Sequence, residues 1–580
     1  MNSSTPLSRE EIAKREIGVT DIAPWLARAM TIGFLALVFA VPLLHELTAS
    51  NVEQGGQPAP TWPRCAAIFT RLPDVAAAFD RSKGDLWQRT LAANHNLLKS
   101  VDVYETGLKD ESRLVERLLG PTQHALTKWG RLGNEKAYLG RDGWLFYRPS
   151  VDYVTGPGFL DPRVLAKRAQ SGKAYAAPAQ PDPRPAIIQF AHDLARRDIT
   201  LILVPAPGKA TVQPERLSSR YAAVGGALHN ASFEQFKHDV EREGVIVFDP
   251  APLLRENWLR TDDDQFLKTD THWTCQAAQT VAETLRGLIE ERSLLPPRPA
   301  TQYRVRSRFA SNLGDIAVML RLPDDQALFS SETVKIRRVF NGDEPWQPDS
   351  SADVLLLGDS FTNIFSQEAM KWGASAGLAE QLSYALQRPI DRISQNDSGA
   401  FATRQTLAQE LARGHDRLAG KRLVVWEFAA RELAVGDWKM IPLAQLEGGQ
   451  HPLPPGEGAK PDLFSKNGGM IVVQAMVEST AGVPKPGSVP YRDAVTSLHL
   501  TGVKATKGES PADQVVVYVL GMQNNRWTTA AQYKPGDTVS LTVQPWESVS
   551  GKYGSLTRIE LDDPDFKLID LPLFWGEPTP

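Results

Sequence analysis

The stretch from Val354 to Thr362 constrains the fold more than any other part of the chain. Four apolar, strand-forming residues are followed by Gly358-Asp359-Ser360, and then by a segment, 367–386, that the residue pattern predicts to be a helix. A serine at the carboxyl end of a buried strand, on a tight turn into a helix, is where α/β enzymes place nucleophiles. Because serine is also a favoured helix cap, this stretch alone leaves both roles open.

Apolar runs alternate with helical patterns through the middle of the chain, which predicts a parallel sheet covered by helices on both faces. Ligands then bind beyond the carboxyl ends of the strands, where residues 205–209, Ser360, 396–399 and 427–431 fall. The predicted strands are 199–205, 245–248, 354–357, 390–394 and 423–427, and the predicted helices are 232–243, 274–291, 367–386 and 403–418.

A second informative stretch is Thr269 to Thr274, with the order Asp270-Thr271-His272-Trp273. A carboxylate two residues before a histidine can hold one ring nitrogen while the other accepts a serine proton. Asp270 could equally cap the helix predicted to follow. The two stretches together make Ser360 a candidate nucleophile, His272 its base and Asp270 the residue that orients the base.

With both stretches in view, the sequence resembles the periplasmic alginate O-acetyltransferase family, the SGNH-hydrolase-like proteins that acetylate bacterial exopolysaccharides. The resemblance implies an α/β, SGNH-like parallel sheet whose motif order is circularly permuted, with Ser360, His272 and Asp270 as the triad and no cofactor or metal. The motifs that carry it lie between Tyr138 and Trp438, and they are Gly140 to Tyr147, Val204 to Lys209, Asp270 to Thr274, Asn312 to Asp315 and Gly358 to Thr362.

Two further motifs of ordinary SGNH hydrolases are only partly matched. The glycine that completes their oxyanion hole has its nearest counterpart in Gly399, and the Gly-x-Asn motif is absent, with 427–431 in its place. The candidate oxyanion donors are therefore the Ser360 and Gly399 N–H groups. Arg431 is a further oxyanion or substrate candidate, or else a partner of Glu427 or Glu432. Lys209 could meet a polysaccharide carboxylate, or could be a solvated lysine.

The N-terminal region predicts a membrane anchor. Residues 1–21 are polar and are expected to form a cytoplasmic tail, and residues 22–47 carry an apolar run that begins after Arg28. Basic residues precede the run and none follows before Arg64, so the positive-inside rule places the bulk of the chain outside the cytoplasm. The expected location is the inner membrane, single-pass, with the catalytic part in the periplasm; a cleaved signal peptide is the alternative.

At 580 residues the chain is too long for one core, and its composition changes along its length. We predict a stalk and helical region at 48–135, the SGNH-like domain at 136–440, a linker at 441–468 and a small all-β domain at 469–580. The expected β strands are 470–477, 496–503, 514–520, 538–543 and 555–561, which suit a small barrel or sandwich, OB-like in size. Its aromatic residues could form a core or a sugar-stacking platform: Trp527, Tyr533, Trp546, Tyr553 and Trp575.

Composition excludes some functions and leaves one question open. The net charge of −4 and the absence of a basic run argue against nucleic-acid binding. The sequence contains no CxxC or HExxH motif that would indicate a metal site. In an exported protein Cys65 and Cys275 could form one disulfide, or remain two buried thiols.

The resemblance implies an O-acetyltransferase acting on an exported, alginate-like exopolysaccharide through an acyl-serine, with a membrane-bound O-acyltransferase supplying the acetyl group. An acetyl-esterase with the same triad is an alternative, since the two differ only in whether water or a sugar hydroxyl reaches the acyl-enzyme. A non-catalytic polysaccharide-binding scaffold is the other alternative. The sequence leaves the identity of the polysaccharide open.

Overall fold

The computed structural model describes residues 23–48, 69, 72–82, 84–110, 113–171, 178–412, 414–441, 443, 469–487, 489, 491–506, 510–554, 556–561, 563, 568 and 571–579. The chain divides into two compact units, Met1–Leu119 and Gly120–Pro580. Most of the predicted 441–468 linker, the predicted stalk and the predicted cytoplasmic tail lie outside the described residues.

The α-helices, in chain order, are α1 (Pro24–Thr48), α2 (Leu72–Arg81), α3 (Leu86–Asp110), α4 (Arg113–Gly130), α5 (Arg148–Thr155), α6 (Pro162–Ala169), α7 (Pro183–Ala195), α8 (Lys209–Val212), α9 (Pro214–Leu217), α10 (Phe233–Glu241), α11 (Ala251–Thr261), α12 (Cys275–Glu291), α13 (Asp315–Met319), α14 (Ser360–Asn363), α15 (Leu378–Leu386), α16 (Ala402–Ala412), α17 (Glu432–Val435) and α18 (Ser550–Tyr553).

The strands are β1 (Ala137–Leu139), β2 (Leu145–Tyr147), β3 (Thr200–Ala206), β4 (Ile246–Val247), β5 (Arg304–Asn312), β6 (Glu332–Asn341), β7 (Glu344–Pro345), β8 (Val354–Gly358), β9 (Asp391–Ser394), β10 (Leu423–Ala429), β11 (Ile471–Thr480), β12 (Ala494–Ala505), β13 (Gln514–Gln523), β14 (Arg526–Trp527), β15 (Thr538–Pro545), β16 (Thr557–Ile559) and β17 (Leu573–Pro578).

The first unit is helical, with α2 and α3 within the region predicted to carry helices. The helix α1 occupies the segment expected to be the anchor. Among the described residues, no helix has both the length and the apolarity that a membrane span requires. The predicted anchor is therefore not confirmed.

The centre of the second unit is a five-stranded sheet in the order β4-β3-β10-β8-β9, and every pairing in it is parallel. The prediction of these five strands is confirmed. Successive residues of β8 enter two different cores: Val354 and Leu356 pack with α12 and α15, whereas Leu355 and Leu357 pack with α7 and α16. A strand buried on both faces needs apolar residues at every position, which explains the unbroken Val-Leu-Leu-Leu run.

The long helix predicted at 367–386 is wrong. The chain forms the single turn α14, then a 3-10 turn at Glu368–Met370, and only then the helix α15. Lys371, Gly373 and Ser375 have positive φ angles, which an α-helix does not accept. The intervening loop instead brings Trp372 into the core, where it is fully buried.

A three-stranded antiparallel sheet, β5-β6-β7, was not predicted from the sequence. It lies between the histidine motif and the serine motif in the chain. Hydrogen bonds tie its strand β6 to the loop before α15, from Val339 N to Ser375 O at 2.7 Å and from Arg338 Nε to Ala374 O at 3.1 Å.

The C-terminal region forms a closed barrel, because β11, β12, β13, β17 and β15 pair in a ring that returns to β11. The predicted barrel is confirmed, but its fifth strand is Leu573–Pro578. The segment expected to be that strand holds only β16, a short parallel addition to β12. Trp546 and Trp575 are buried in a core and Tyr553 stacks on Trp575, so these aromatic residues stabilise the domain.

The barrel packs directly on the catalytic region. Tyr491, Ala494 and Met522 belong to the same buried cluster as one face of the parallel sheet. The Arg558 N–H donates to Gln395 Oε1 at 3.1 Å, and Gln395 follows β9. The β domain therefore borders the loop that carries Gly399.

Of the two alternatives for the cysteines, the structure supports the unpaired thiol at Cys275, which is free and buried. Its Sγ accepts a hydrogen bond from the Arg337 N–H at 3.4 Å, and burial raises the pKa of the thiol to about 11. Cys65 lies outside the described residues.

Candidate active site

The turn that carries Ser360 is built by its neighbours in sequence. A Cβ at Gly358 would lie 2.2 Å from Thr362 Oγ1, so only glycine fits at the end of β8. The Asp359 side chain accepts the Phe361 N–H at 2.8 Å and thereby caps α14. Ser360, as the first residue of that helix, is held with its hydroxyl at the carboxyl edge of the sheet.

His272 lies on a loop that is fixed at both ends. Phe266 and Trp273 form an antiparallel bridge, and Leu267 N donates to His272 O at 3.0 Å. The Trp273 indole N–H donates to Phe361 O at 3.0 Å. This last bond ties the histidine loop to the serine turn, which explains why a buried tryptophan follows the histidine.

Ser360, His272 and Asp270 form one hydrogen-bonded chain. His272 Nε2 lies 2.8 Å from Ser360 Oγ, and His272 Nδ1 lies 2.7 Å from Asp270 Oδ1. All three side chains are buried, with Ser360 3% exposed. The structure therefore brings together the three residues that the sequence predicted, in the geometry of a nucleophile, base and orienting acid.

The Asp270 carboxylate is held in its charged form. Burial alone would raise its pKa, but the hydrogen bond from His272 and the charge of that ring lower it below the ordinary value. Its other oxygen accepts the Trp372 indole N–H at 2.9 Å and the Asp315 N–H at 3.0 Å. A fixed carboxylate of this kind selects the tautomer with the proton on Nδ1, which leaves Nε2 free to accept a proton.

A second carboxyl group, Asp315, lies beside this pair. Its Oδ1 accepts the Thr271 N–H at 2.6 Å, and its Oδ2 is 3.9 Å from His272 Nδ1. Burial, and then the charge of Asp270, raise the pKa of Asp315 to about 7. Asp315 thus holds the histidine loop in place without contacting the serine.

Another buried acid, Glu427, supports the serine turn from the neighbouring strand β10. Its Oε2 accepts the Asp359 N–H at 3.0 Å and the Thr362 hydroxyl at 2.8 Å. Asp359 Oδ2 in turn accepts the Ala429 N–H at 2.7 Å. Burial, followed by the nearby Asp359 charge, raises the pKa of Glu427 well above its ordinary value.

Arg431 lies beside the serine turn. Its guanidinium is 5.1 Å from the centre of the Tyr147 ring and 6.0 Å from that of Phe361, the residue after the serine. Of the two predicted acid partners, Glu427 instead bonds to the serine turn, whereas the charge of Arg431 does act on Glu432, where it lowers a pKa that burial raises. Desolvation of the Asp397 carboxyl raises its pKa, whereas the Ser398 N–H and the charge of Arg431 lower it.

Gly399 also lies at the serine turn. A Cβ at this position would be 3.1 Å from Asp359 Oδ2 and 3.2 Å from Phe428 Cβ. Glycine is thus needed for the loop after β9 to approach the turn closely. The structure places Gly399 beside Asp359, the residue before Ser360. This position is close to the serine, as a candidate oxyanion donor must be.

The suggestion that Lys209 is a substrate contact or a solvated lysine is wrong. Its ammonium is buried and donates to Leu145 O at 2.7 Å and to Lys268 O at 3.1 Å. It also lies over the Trp144 ring at 5.3 Å. Burial lowers the pKa of Lys209 to about 7, while the charges of Asp270 and Asp315 raise it. The side chain turns inward because two carbonyl groups accept its hydrogen bonds and two aromatic rings lie close to its ammonium group.

Asp270, His272 and Asp315 also form a group whose ligand-type atoms lie within 4.8 Å of one another. A zinc ion binds nitrogen and oxygen ligands at about 2 Å, which separates the ligand atoms by about 3 Å or more. The 2.7 Å contact between His272 Nδ1 and Asp270 Oδ1 is instead that of a hydrogen bond. The residues present fit a triad better than a metal centre.

Sequence reasoning missed Asp315, Glu427 and Trp372. Glu427 carried a usable signal, since an acid within an otherwise apolar central strand must have buried partners. Asp315 ends a motif already noted, but nothing local predicts that it folds back onto Asp270. Trp372 lies in a segment that was predicted to be a regular helix.

Comparison with known proteins agrees with this geometry. Residues 137–430, half of the chain, match the family model described as "SGNH hydrolase-like domain, acetyltransferase AlgX". The chain belongs to this family. The SGNH-like α/β fold of the catalytic domain and the function class, an SGNH-like acetyltransferase, follow from that membership.

The curated relatives of the chain carry related names. The "Probable alginate O-acetylase AlgJ" of Pseudomonas aeruginosa is 27% identical over 331 residues, which cover 55% of this chain and 75% of the relative. The protein of the same name from Pseudomonas syringae pv. tomato is 24% identical over 341 residues, covering 57% and 77%.

Two solved structures are similar to this chain. The O-acetyltransferase domain of Pseudomonas putida AlgJ covers 53% of this chain and 98% of its own length, with 22% identity and a TM-score of 0.39. Pseudomonas aeruginosa AlgX covers 70% and 90%, with 15% identity and a TM-score of 0.37.

Proposed function

We propose that this protein transfers acetyl groups to hydroxyls of an exported bacterial exopolysaccharide, through an acetyl ester on Ser360. The observation that carries the proposal is the buried chain of hydrogen bonds from Ser360 through His272 to Asp270. Family membership supports acetyl transfer as the reaction class. The names of the relatives support an alginate-like polymer as the acceptor.

In the first half-reaction the Ser360 oxygen attacks the carbonyl carbon of an activated acetyl group while its proton moves to His272 Nε2. Asp270 stabilises the resulting imidazolium through its bond to Nδ1. The tetrahedral intermediate then collapses, the bond to the leaving group breaks, and His272 returns the proton to that group. Acetyl-Ser360 remains.

In the second half-reaction a sugar hydroxyl takes the place of the leaving group. His272 accepts the hydroxyl proton as the sugar oxygen attacks acetyl-Ser360, and collapse of this intermediate returns the proton to Ser360 Oγ. The product is the acetylated sugar. Access of the sugar, and exclusion of water, decide whether the enzyme is a transferase or an esterase.

The developing oxyanion needs donors close to Ser360. The Ser360 N–H, at the start of α14, and the Gly399 N–H are the proposed backbone donors. Arg431, whose guanidinium lies over the Phe361 ring, is proposed to contact the substrate. Its planar guanidinium suits a carboxylate of the polymer.

A periplasmic location, attachment to the inner membrane and acetyl supply from a membrane-bound O-acyltransferase are further parts of the proposal. They rest on the distribution of basic residues around 22–47 and on the resemblance to the family.

The function is tested by following a labelled acetyl group from an activated ester into polysaccharide or into water. The proposal predicts label on the polymer, in an ester bond, and none with Ser360→Ala. Label released only as acetate, at the same rate with and without polymer, would make the protein an esterase. Polymer binding without turnover would make it a scaffold.

A further inference from the structure

The antiparallel sheet β5-β6-β7 carries a dense group of cations outside the catalytic centre. On β5, Arg304, Arg306 and Arg308 are all exposed. On β6, Lys335 is exposed and Arg337 and Arg338 are half-buried. No part of the proposed acetyl transfer uses these residues.

Strand register places four of the arginines on one face, which we call the arginine face: Arg304, Arg306, Arg308 and Arg338. Residues two apart on β5 point the same way. Arg306 lies directly opposite Arg338, and both guanidinium groups lie over the Phe340 ring, at 4.5 Å and 5.2 Å. Like charges directly opposite each other destabilise a sheet, so the pairing of Arg306 with Arg338 lowers the stability of this sheet.

Acidic residues compensate these charges only in part. Within the described chain, Arg306 is the one member of the arginine face with an ion-pair partner, the exposed Asp343. Glu332, at the start of β6, accepts the Lys268 N–H at 2.8 Å and so faces the histidine loop. Arg338 is half-buried and donates to Ala374 O, so the exposed Arg304 and Arg308 are the two guanidinium groups of this face left for an external anion.

The strand β5 runs directly into the catalytic centre. Leu313, the residue after the strand, accepts a hydrogen bond from the Thr269 hydroxyl, and Asp315 N donates to Asp270 Oδ2. A Cβ at Gly314 would lie 2.5 Å from Thr269 O, so the two segments are in close contact. A nine-residue strand spans about 30 Å, so the arginines form a row that leads away from the triad.

We propose that the arginine face binds the carboxylates of a uronate-containing polysaccharide and holds the polymer alongside the entrance to the catalytic centre. This inference rests on the proposed function, and it assigns a binding surface for the acceptor polymer outside the catalytic centre. Arginine binds carboxylates in a planar, two-bond geometry, and a row of arginines with alternate spacing suits a chain that repeats its charge.

A structural role for the same charges makes a different prediction. β5 is an edge strand, and cations on an edge strand prevent pairing with other chains. Under that role, removing the charges promotes self-association and leaves polysaccharide affinity unchanged.

The test compares two variants of the full chain with equal loss of charge. The first is Arg304→Gln, Arg306→Gln and Arg308→Gln together. The matched control is Arg242→Gln, Arg260→Gln and Arg292→Gln together, three exposed arginines outside this sheet. The probes are alginate oligomers and neutral dextran, with affinity measured by calorimetry at low and at high salt, and with folding checked by the thermal unfolding midpoint.

The inference predicts that the first variant binds alginate oligomers about tenfold more weakly than the control at low salt, since three exposed ion pairs of ordinary strength together reach that size. High salt removes the difference, and neither variant binds dextran. The triple Arg→Lys variant at the same positions keeps the charge and restores part of the affinity.

Equal affinity of the first variant and the control overturns the inference, and so does self-association as the only change. Binding of the unaltered protein to single-stranded DNA as tightly as to alginate oligomers would also overturn the inference. The arginine face would then recognise negative charge in general and not carboxylates. Acetylation of Ser360 is measured in the same preparations. If no acetyl-serine forms, the proposed function fails, whereas acetyl-serine formation with unchanged alginate affinity removes only this inference.

Discussion

Two pairs of carboxyl groups support the triad, one on the histidine side and one on the serine side. Asp270 and Asp315 hold the histidine loop, and Asp359 and Glu427 hold the serine turn. In each pair both acids accept backbone N–H groups, and one of the two, Asp315 or Glu427, has a raised pKa. The pairs therefore share a design in which burial raises the pKa of one acid.

The pairs differ in what they touch. Asp270 bonds to the imidazole itself, so its charge acts on the proton transfer. On the serine side, Asp359 and Glu427 accept hydrogen bonds from backbone N–H groups and from the Thr362 hydroxyl, so that pair acts on the position of the serine hydroxyl. Two pairs of buried carboxyl groups thus act differently, through charge on the histidine side and through geometry on the serine side.

Asp270→Asn tests the charge role and is expected to have the largest effect. The amide cannot stabilise the imidazolium and favours the wrong tautomer, so kcat for acetyl-ester turnover falls about a thousandfold or more. Asp315→Asn, which alters the acid that does not bond to the ring, serves as the control with a much smaller loss. A loss of less than tenfold in kcat with Asp270→Asn would contradict the charge role assigned to the histidine side.

Glu427→Ala tests the positional role on the serine side. It leaves the Asp359 N–H and the Thr362 hydroxyl buried without an acceptor, which costs about 3 kcal/mol in the apparent free energy of unfolding. Glu427→Gln keeps an acceptor oxygen for both donors, so its stability and kcat stay near those of the unaltered enzyme. Denaturant titration of both variants measures this, and a Gln variant as unstable as the Ala variant would show that the carboxyl group itself is required.

The pH dependence of stability separates the two members of the histidine-side pair. The folded-state pKa of Asp315 is about 7, above its ordinary value of 3.8, so the folded protein keeps a proton that the unfolded chain has released. The stability that Asp315 contributes is complete below the unfolded-state pKa of 3.8 and is lost as the pH rises through the folded-state pKa of about 7. Asp270, with its lowered pKa, acts in the opposite direction at lower pH.

The expected result is that Asp315→Asn gains stability relative to the unaltered protein as pH rises from about 4 to about 7. Asp343→Asn, a change at an exposed acid, is the control and has no such trend. Unfolding curves recorded across this range make the measurement. A constant difference between Asp315→Asn and the unaltered protein would contradict the raised pKa.

Gly399→Ala is expected to have the smallest effect of the four. The new Cβ would lie 3.1 Å from Asp359 Oδ2, so the loop must move by a few tenths of an ångström, and kcat falls several-fold while the fold is kept. Gly225→Ala is the matched control, because nothing lies within 4 Å of a Cβ there. Steady-state turnover of an acetyl ester is measured for both variants. Equal rates would show that Gly399 does not support the serine turn.

The parts of this site that could be predicted from sequence are those fixed by local pattern. The unbroken apolar run before Ser360 and the Asp-x-His spacing identified the triad residues, because strand burial and hydrogen-bond reach are short-range requirements. Lys209 was misplaced because its position after a strand does not determine whether the side chain turns outward or towards the Leu145 and Lys268 carbonyls.

The remaining errors have a common physical origin in long-range contacts. Asp315 bonds to a loop 45 residues away in sequence, and Glu427 to one 68 residues away. The fifth barrel strand is Leu573–Pro578 because ring closure needs a strand that reaches both β13 and β15. The barrel alternative itself was predictable from the number and spacing of the strands.

Peptide mass spectrometry after incubation with an activated acetyl ester tests the central claim most directly. The account predicts one added acetyl group on the peptide that contains Ser360, absent from Ser360→Ala and strongly reduced in His272→Ala. An unmodified Ser360 peptide in the unaltered protein, with acetyl transfer still occurring, would contradict the assignment of Ser360 as the acetyl-carrying residue.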